Sequence, residues 1–250
     1  MSPNTPLLGV SGSRWRLSTP SLVLDLDAME SNLELMATHC RATGQALRPH
    51  AKSHKCTSIA KAQIAAGAVG VCCATIREAE VMVAAGVPVL ITSPPTGEAK
   101  VARLMVLHGT TEALKVATDT LAHVAALAAA TAAAGIDRPL AVVIDFDVGT
   151  HRTGAATATD VVVLAQAIEG APGLKFAGVQ AYYGHLQHIE DYVERTVAVA
   201  AENMRLGETV DALRAAGFAV PLVTGGGTGS YDMDHRHGLF NELQAGSYIF

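Results

Sequence analysis

The sequence predicts an α/β protein whose parallel strands form a (β/α)8 barrel. Short runs of Val, Leu and Ile alternate with longer Ala-rich segments of helical period, a pattern typical of strands joined by helices. The chain has 250 residues, a length that α/β barrels often occupy as a single domain. No long linker rich in Pro, Gly or Ser interrupts the pattern, so we expect one continuous domain.

Nine short segments have the apolar, β-branched composition of strands. They are Ser21 to Leu26, Gln45 to Leu47, Gly70 to Cys73, Val89 to Thr92, Lys115 to Ala117, Leu140 to Phe146, Lys175 to Ala181, Leu222 to Thr224 and Asn241 to Leu243. Helical periods lie between them, at Asp27 to Thr43, Thr57 to Ala66, Ile76 to Ala85, Gly97 to His108, Thr120 to Ala134, Asp160 to Glu169 and Ile189 to Ala216. Strands and helices therefore follow one another as repeated units.

Composition excludes several classes of protein. The formal net charge is -5, whereas nucleic-acid-binding faces are basic, so we expect no nucleic-acid partner. No apolar run reaches the roughly 18 residues of a membrane span, and the N-terminus lacks the pattern of a secretory signal. The four cysteines then indicate reduced thiols in the cytoplasm. Cys72 and Cys73 lie in a strand pattern and are expected to be buried.

A basic cluster follows the second predicted strand. Residues 48–55 contain two lysines, two histidines and an arginine, although only 16% of the chain is charged. A lysine at a strand end in a mostly apolar protein is placed to lose water, which lowers its pKa and suits it to imine formation. Lys52 and Lys55 are both candidates, and a basic surface loop explains the cluster equally well.

Glycine-rich segments follow the last two predicted strands. Residues 225–230 read Gly-Gly-Gly-Thr-Gly-Ser, and Gly246 precedes Ser247. Successive glycines let backbone N–H groups approach an anion, as in the phosphate sites of barrel enzymes. A phosphate site opposite a strand-end lysine is the arrangement that pyridoxal phosphate requires. Tyr182 is then placed to lie against the cofactor ring, with Arg152 and Gln244 at its edge.

The residues alone leave two alternatives to a pyridoxal-phosphate site. His185 and His188 are three residues apart, as some metal ligands are, but that spacing is weak evidence without a carboxylate partner. A barrel with no cofactor is the other alternative, and the paired glycine segments disfavour it.

Several motifs, in order along the chain, resemble those of a known family. The first of these motifs is Thr19 to Asp25. Together the motifs resemble the D-threonine aldolase and D-serine dehydratase-like family, whose members are pyridoxal-phosphate enzymes with an alanine-racemase-type barrel. The similarity runs from about Thr19 to Phe250, which leaves residues 1–18 as an N-terminal extension. The other motifs are Arg48 to Lys55, Gly178 to Tyr182, Thr224 to Ser230 and Glu242 to Tyr248.

This resemblance implies roles for individual residues. Lys52 would bind pyridoxal 5'-phosphate covalently, and His188 would take the proton from the substrate's β-hydroxyl. Tyr182 would pack beside the ring, Arg152 would approach its phenolate oxygen, and Gln244 would face its pyridine nitrogen. Because Gln244 is uncharged, we expect that nitrogen to be protonated less than a carboxylate would make it. The phosphate would be held by Thr228, Gly229, Gly246 and Ser247.

The chain departs from the family in two places. Ala74 stands where relatives often carry a glutamine near the cofactor. In the family a C-terminal β-domain follows the barrel and supplies a site for a divalent metal ion (Mn, Mg or Zn) through a histidine and an Asp or Cys. Those positions have no counterpart in the 250 residues, so we expect no metal ligand among them. The resemblance also implies a homodimer.

The activity implied by the resemblance is that of a carbon–carbon lyase acting on small D-amino acids. The reaction is a retro-aldol cleavage of D-β-hydroxy-α-amino acids, such as D-threonine to glycine and acetaldehyde, assisted by metal in the complete enzyme. Dehydration of D-serine or D-threo-3-hydroxyaspartate is an alternative that the barrel motifs do not separate. A non-catalytic barrel that carries pyridoxal phosphate is another.

Overall fold

The computed structural model describes residues 2–250, and its centre is one sheet of eight parallel strands. From β2 to β8 each strand pairs with the next one in the chain, and β8 pairs with β1. The strands are β1 (Ala46–Leu47), β2 (Val71–Cys73), β3 (Val89–Ile91), β4 (Leu114–Thr118), β5 (Leu140–Phe146), β6 (Leu174–Ala181), β7 (Val223–Gly225) and β8 (Glu242–Leu243).

The sheet closes on itself between β1 and β2. The Val69 N–H donates to the carbonyl of Leu47 at 2.8 Å, and the Cys72 N–H donates to the carbonyl of Pro49 at 2.9 Å. His50 and Cys72 form an isolated parallel bridge at the same junction. The predicted (β/α)8 barrel is therefore confirmed.

Eight α-helices accompany the strands in residues 2–250. They are α1 (Leu26–Thr43), α2 (Thr57–Ala65), α3 (Ile76–Ala84), α4 (Glu98–Thr110), α5 (Leu121–Ala134), α6 (Ala158–Glu169), α7 (Tyr192–Ala215) and α8 (Tyr231–Asp234). Side chains set several helix starts: Thr157 and Asp160 form a capping box at α6, and Asp191 accepts the Glu194 N–H at 2.7 Å at α7. Within the same residues, no helix is both long and apolar enough to cross a bilayer.

Alternation along the strands separates two environments. Val142 and Ile144 of β5 belong to the main hydrophobic core between sheet and helices, whereas Val143 packs with Cys72 and Leu90 inside the barrel. Asp145, two residues after Val143, shares its inward face. The barrel interior therefore carries polar side chains toward the ends of the strands.

Helix α1 precedes the first strand and covers the junction of β1 and β8. Its Met36 is almost fully buried in a separate cluster with Leu47, Leu243 and Ile249. This packing holds the end of β8, and the segment that follows it, against the barrel.

The strand predicted at Ser21 to Leu26 is wrong. Residues 21–25 have no regular structure, and Leu26 begins α1, where Asp25 caps the helix by accepting the Ala28 N–H at 3.1 Å. A closed barrel leaves no free strand edge with which this segment could pair. Leu22 and Val23 are exposed, so their apolar character does not reflect burial here.

Two other details differ from the predicted elements. Helix α7 begins at Tyr192 rather than Ile189, because residues 184–188 form a separate 3-10 helix. The four-residue helix α8 is too short for a periodic signal and was not predicted. The predicted burial of Cys72 and Cys73 in β2 is confirmed, and both thiols are free.

Candidate active site

The carboxyl ends of the strands surround a cavity of about 640 Å³. This volume lies within the usual range for small-molecule and cofactor sites. The structure brings the nine residues to which the resemblance assigns a role to the wall of this one cavity. They are Lys52, Arg152, Tyr182, His188, Thr228, Gly229, Gln244, Gly246 and Ser247.

Lys52 is positioned by a single turn of 3-10 helix directly after β1. His50 caps this turn, and its Nδ1 accepts the backbone N–H of Lys52 at 3.4 Å. On the other side of the ring, His50 Nε2 lies 3.1 Å from Oγ1 of Thr92, whose hydroxyl donates to the carbonyl of Cys73 at 3.2 Å. Nδ1 is thus the acceptor and Nε2 the donor, as in a neutral imidazole.

Burial keeps His50 neutral. Desolvation lowers the pKa of His50 to about 3, and the positive charges of Lys52, Lys55 and Arg152 act in the same direction. His50 therefore does not titrate near neutral pH, and its hydrogen bonds hold the backbone of Lys52 at the cavity wall.

Lys52 carries a pKa below its usual range. Partial desolvation is the main cause, and the nearby guanidinium of Arg152 adds to it. The side chain remains accessible from the cavity, and among the described residues it makes no ion pair. Its Nζ lies 5.3 Å from the centre of the Tyr182 ring. The lowered pKa leaves a larger fraction of the Lys52 amine neutral, and the neutral amine is the form that attacks a carbonyl.

Lys55 has a different environment from Lys52. It pairs with Glu78, whose other carboxylate oxygen accepts the N–H of Ala74 at 2.8 Å. Its side chain is 63% exposed, and it does not line the cavity. The sequence of the basic cluster offered Lys52 and Lys55 equally as candidates for imine formation, whereas in the structure only Lys52 lines the cavity.

The glycine loop after β7 forms another part of the cavity wall. The Gly227 N–H donates to Oγ of Ser230 at 3.2 Å, and the Gly229 N–H donates to Oε1 of Gln187 at 2.8 Å. A Cβ at Gly229 would lie 2.5 Å from the carbonyl oxygen of Gln187, so only glycine fits there. Gln187 therefore fastens the loop to the segment that carries His188.

The side chain of Thr228 indicates whether an anion could bind at this loop. Its Oγ1 is buried and has no hydrogen-bond partner within residues 2–250. Gly246, after the neighbouring strand β8, lines the same cavity, and it lies so close to His50 that a Cβ there would be 2.8 Å from the His50 carbonyl oxygen. A hydroxyl without a partner beside two closely packed glycine segments fits a phosphate group.

Several residues of the site were missed at the level of the sequence. Thr92, Ser93, Gln180 and Gln187 line the cavity, and Asp145 accepts a hydrogen bond from Gln180 behind it. Asp145 gave a usable signal, because an acidic residue between Ile144 and Phe146 interrupts an otherwise apolar strand. Gln187 gave none beyond its position next to His188.

Metal ligands do not assemble in the described part of the chain. Within residues 2–250, no group of three or more His, Cys, Asp or Glu side chains is arranged to hold a metal ion. His188 lines the cavity, whereas His185 does not.

The closed barrel, with Lys52 after its first strand and glycine loops after its last two, lies within the part of the chain that matches a known protein family. The sequence profile described as "Alanine racemase, N-terminal domain" matches residues 24–250. The chain belongs to this family.

Relatives at higher identity include aldolases and a dehydratase. The chain is 40% identical over 236 residues to a 3-hydroxy-D-aspartate aldolase of Paracoccus denitrificans and 40% identical over 236 residues to a D-threonine aldolase of an Arthrobacter species. It is 31% identical over 238 residues to a D-threo-3-hydroxyaspartate dehydratase of a Delftia species. These matches cover 94% of this chain but 60%, 62% and 61% of the relatives, so the chain spans about three fifths of their length.

Solved structures agree with this placement. The crystal structure of a D-threonine aldolase from Filomicrobium marinum superposes with a TM-score of 0.90 at 42% identity, covering 94% of this chain and 63% of that one. An alanine racemase from Streptomyces lavendulae superposes with a TM-score of 0.72 at 18% identity, covering 90% of this chain and 57% of that one. The second likeness extends to the fold alone.

Proposed function

We propose that this chain is the barrel of a pyridoxal-phosphate-dependent lyase that cleaves D-β-hydroxy-α-amino acids, with D-threonine to glycine and acetaldehyde as the reaction. The observation that carries the proposal is one cavity that is lined both by Lys52, after β1, and by Thr228, after β7, whose hydroxyl has no hydrogen-bond partner within residues 2–250. The similarity to two kinds of aldolase supports the reaction type.

The cavity residues divide into groups that would hold different parts of pyridoxal 5'-phosphate. The lowered pKa of Lys52 favours a covalent bond to the aldehyde carbon, and Tyr182, next to its Nζ, suits the ring. Arg152 would contact the phenolate oxygen and Gln244 the ring nitrogen. The phosphate would be bound by Thr228, Gly229, Gly246 and Ser247. When bound, the cofactor supplies an electron-accepting ring next to the reacting carbon.

His188 has the position and chemistry for proton transfer. Its imidazole lies at the cavity wall, on the 3-10 helix that Gln187 ties to the glycine loop. In the cleavage, His188 would remove the proton from the β-hydroxyl while the bond between Cα and Cβ breaks. The β-carbon then leaves as an aldehyde, and the electron pair of the broken bond stays at Cα until a proton is added there.

Dehydration is the second candidate reaction. The similarity to the D-threo-3-hydroxyaspartate dehydratase supports it. In that reaction the bond between Cα and Cβ of the substrate stays intact, a base takes the α-proton, and the β-hydroxyl takes up a proton and leaves as water. A requirement for a divalent metal ion, a dimeric state and a cytoplasmic location stay predictions, each independent of the cofactor proposal.

The cofactor proposal is tested by trapping. The chain is loaded with pyridoxal 5'-phosphate, reduced with borohydride and digested, and the modified lysine is identified by mass spectrometry. We expect the pyridoxyl group on Lys52, no adduct in Lys52→Ala, and a normal adduct in the matched variant Lys55→Ala. An adduct spread over exposed lysines, or no visible absorbance of lysine-bound cofactor, contradicts the proposal.

The reaction is tested by product analysis. D-threonine, D-serine and 3-hydroxy-D-aspartate are each supplied to the loaded chain with and without Mn²⁺, Mg²⁺ or Zn²⁺. An aldehyde plus glycine supports the aldolase, whereas a 2-oxo acid plus ammonia supports the dehydratase. If the cofactor binds at Lys52 and neither product forms, this chain alone is a carrier, and the lyase proposal for it is wrong.

A further inference from the structure

A chain of hydrogen-bonded polar side chains crosses the inside of the barrel. Each of its six members is at most 5% exposed, so water does not compete for their hydrogen bonds. In order from one end to the other, they are Asp145, Gln180, Gln244, Thr224, Glu242 and Arg48. Only Gln180 and Gln244 of these line the cavity.

The Asp145 end fixes the direction of Gln180. Nε2 of Gln180 donates to Oδ1 of Asp145 at 2.9 Å and to the backbone carbonyl of Thr92 at 3.0 Å. The other oxygen of Asp145 accepts the hydroxyl of Thr153 at 2.8 Å. Both the Thr92 carbonyl and the Asp145 carboxylate can only accept hydrogen bonds. The amide nitrogen of Gln180, which donates, must therefore face these two groups. Its Oε1 is then left to face Gln244.

The Arg48 end fixes the direction of Thr224. Nε of Arg48 lies 3.0 Å from both carboxylate oxygens of Glu242. The hydroxyl of Thr224 donates to Oε1 of Glu242 at 2.9 Å, because the ion-paired carboxylate cannot donate in return. The Thr224 oxygen is therefore available only as an acceptor toward Gln244.

The hydrogen bonds at both ends of this chain of side chains therefore fix the same orientation of the Gln244 amide. Its Nε2 donates to Oε1 of Gln180 at 3.3 Å and to Oγ1 of Thr224 at 3.1 Å, which uses both amide hydrogens. The opposite orientation would place the amide oxygen against two acceptor oxygens and leave buried groups without hydrogen bonds. Oε1 of Gln244, to which no described group donates, is the amide atom left for the cavity.

We infer that Gln244 presents a fixed hydrogen-bond acceptor to the cavity, so that this position binds a ring nitrogen in its protonated N–H form, and that Thr224 and Glu242 are positioning residues for it. The inference rests on the proposed binding of pyridoxal 5'-phosphate. It adds to the expectation that the nitrogen is protonated less than a carboxylate would make it, because an amide oxygen also repels a bare nitrogen lone pair and attracts an N–H.

The inference is tested with cofactor labelled with ¹⁵N in the ring. The loaded chain should show its ring-nitrogen resonance in the pyridinium region near neutral pH. Thr224→Val removes the acceptor that holds Gln244 and should lower the protonation constant of the nitrogen at least tenfold. Thr224→Ser, which keeps the hydroxyl, should retain the pyridinium signal, and so should Gln244→Glu. A purely structural role of Thr224 would not separate Val from Ser.

The outcomes separate this inference from the proposed function. If visible absorbance and the Lys52 adduct are present but the wild-type nitrogen is neutral, the inference alone is wrong. If neither is present, the cofactor proposal fails and the inference fails with it. If Thr224→Val does not fold, the wild-type resonance still decides.

A measurement without cofactor addresses the amide orientation directly. In the chain labelled with ¹⁵N-glutamine, the side-chain NH₂ protons of Gln244, assigned through Gln244→Glu, should exchange with water at least tenfold more slowly than those of the exposed Gln166. Equal exchange rates would overturn the hydrogen-bonded orientation.

Discussion

The hydroxyl of Tyr183 donates a hydrogen bond to Asp234 directly beneath the glycine loop, and both side chains are buried. Ser230 donates to the other carboxylate oxygen at 2.9 Å. Burial raises the pKa of Asp234 from 3.8 to about 7, although the hydrogen bonds from Tyr183 and Ser230 act in the opposite direction. The floor of the loop therefore contains a carboxyl group that titrates near neutral pH.

This carboxyl predicts a pH dependence of stability. Between roughly pH 4 and pH 7 the folded chain holds a proton on Asp234 that the unfolded chain releases, so the group's contribution to stability falls as pH rises. Asp234→Asn should remove that part of the slope, by up to about 1.4 kcal/mol per pH unit in the window. Urea unfolding at several pH values measures the difference between wild type and variant.

Asp211 provides the control, because its carboxyl is not among the groups that shift the pKa of Asp234. Its side chain is 76% exposed, and Asp211→Asn should leave the part of the slope that comes from Asp234 in place. If the difference in stability between wild type and Asp234→Asn does not vary with pH, the raised pKa of Asp234 is contradicted.

The buried ion pair between Arg48 and Glu242 predicts a large effect on stability. Their side chains are 6% and 5% exposed, so Glu242→Gln leaves a guanidinium buried without its counter-charge. We expect a loss of about 3–5 kcal/mol in the free energy of unfolding, because breaking one side of a buried pair costs far more than the pair contributes. Chemical denaturation measures this loss.

A double variant and an exposed pair give the controls for that prediction. Replacing both partners by Met should recover most of the loss, since no buried charge remains. Asp211→Asn, in the exposed pair with Arg214, should change stability by less than about 1 kcal/mol. An equally small effect of Glu242→Gln would show that water or another group compensates Arg48.

The fold could be predicted from the sequence because its signals are local. Apolar periods of two and of 3.6 residues mark the strands and helices, and closure of a repeated βα pattern needs little further information. The failure at Leu22 and Val23 has a physical reason, since apolar composition does not reveal whether a strand has a partner edge. That depends on closure between β1 and β2, which is a property of the whole barrel.

The site was predictable in part for a related reason. Lys52, Thr228 and Gly246 stand at strand ends, so the topology alone brings them together. The hydrogen bonds behind them could not be predicted, because Arg48 and Glu242 are separated by 194 positions and their contact depends on the register at β1 and β8. The ion pair between Lys55 and Glu78, which gives Lys55 a different environment from Lys52, could not be predicted either, because the two residues are 23 positions apart.

The lowered pKa of Lys52 predicts selective reactivity without any cofactor. At limiting reagent near neutral pH, Lys52 should be reductively methylated faster than the exposed Lys100, because the lowered pKa of Lys52 leaves more of its amine in the neutral form that reacts. Peptide mass spectrometry measures both rates. Arg152→Gln removes a positive neighbour and should slow Lys52 while leaving Lys100 unchanged. Equal rates for the two lysines in the wild type would mean that Lys52 is fully solvated.

A pair of glycine substitutions distinguishes a glycine needed by the site from one that is not. Gly109 lies inside α4, and a Cβ there would meet only Cδ1 of Ile136 at 3.8 Å, so Gly109→Ala should stabilise the chain by about 0.5–1 kcal/mol. Gly229→Ala places a Cβ 2.5 Å from the Gln187 carbonyl and should cost about 1–3 kcal/mol through displaced backbone. It should also weaken binding of pyridoxal 5'-phosphate, measured by titration of the visible absorbance, whereas Gly109→Ala should not. If Gly229→Ala binds the cofactor as tightly as wild type, the loop after β7 does not hold the phosphate.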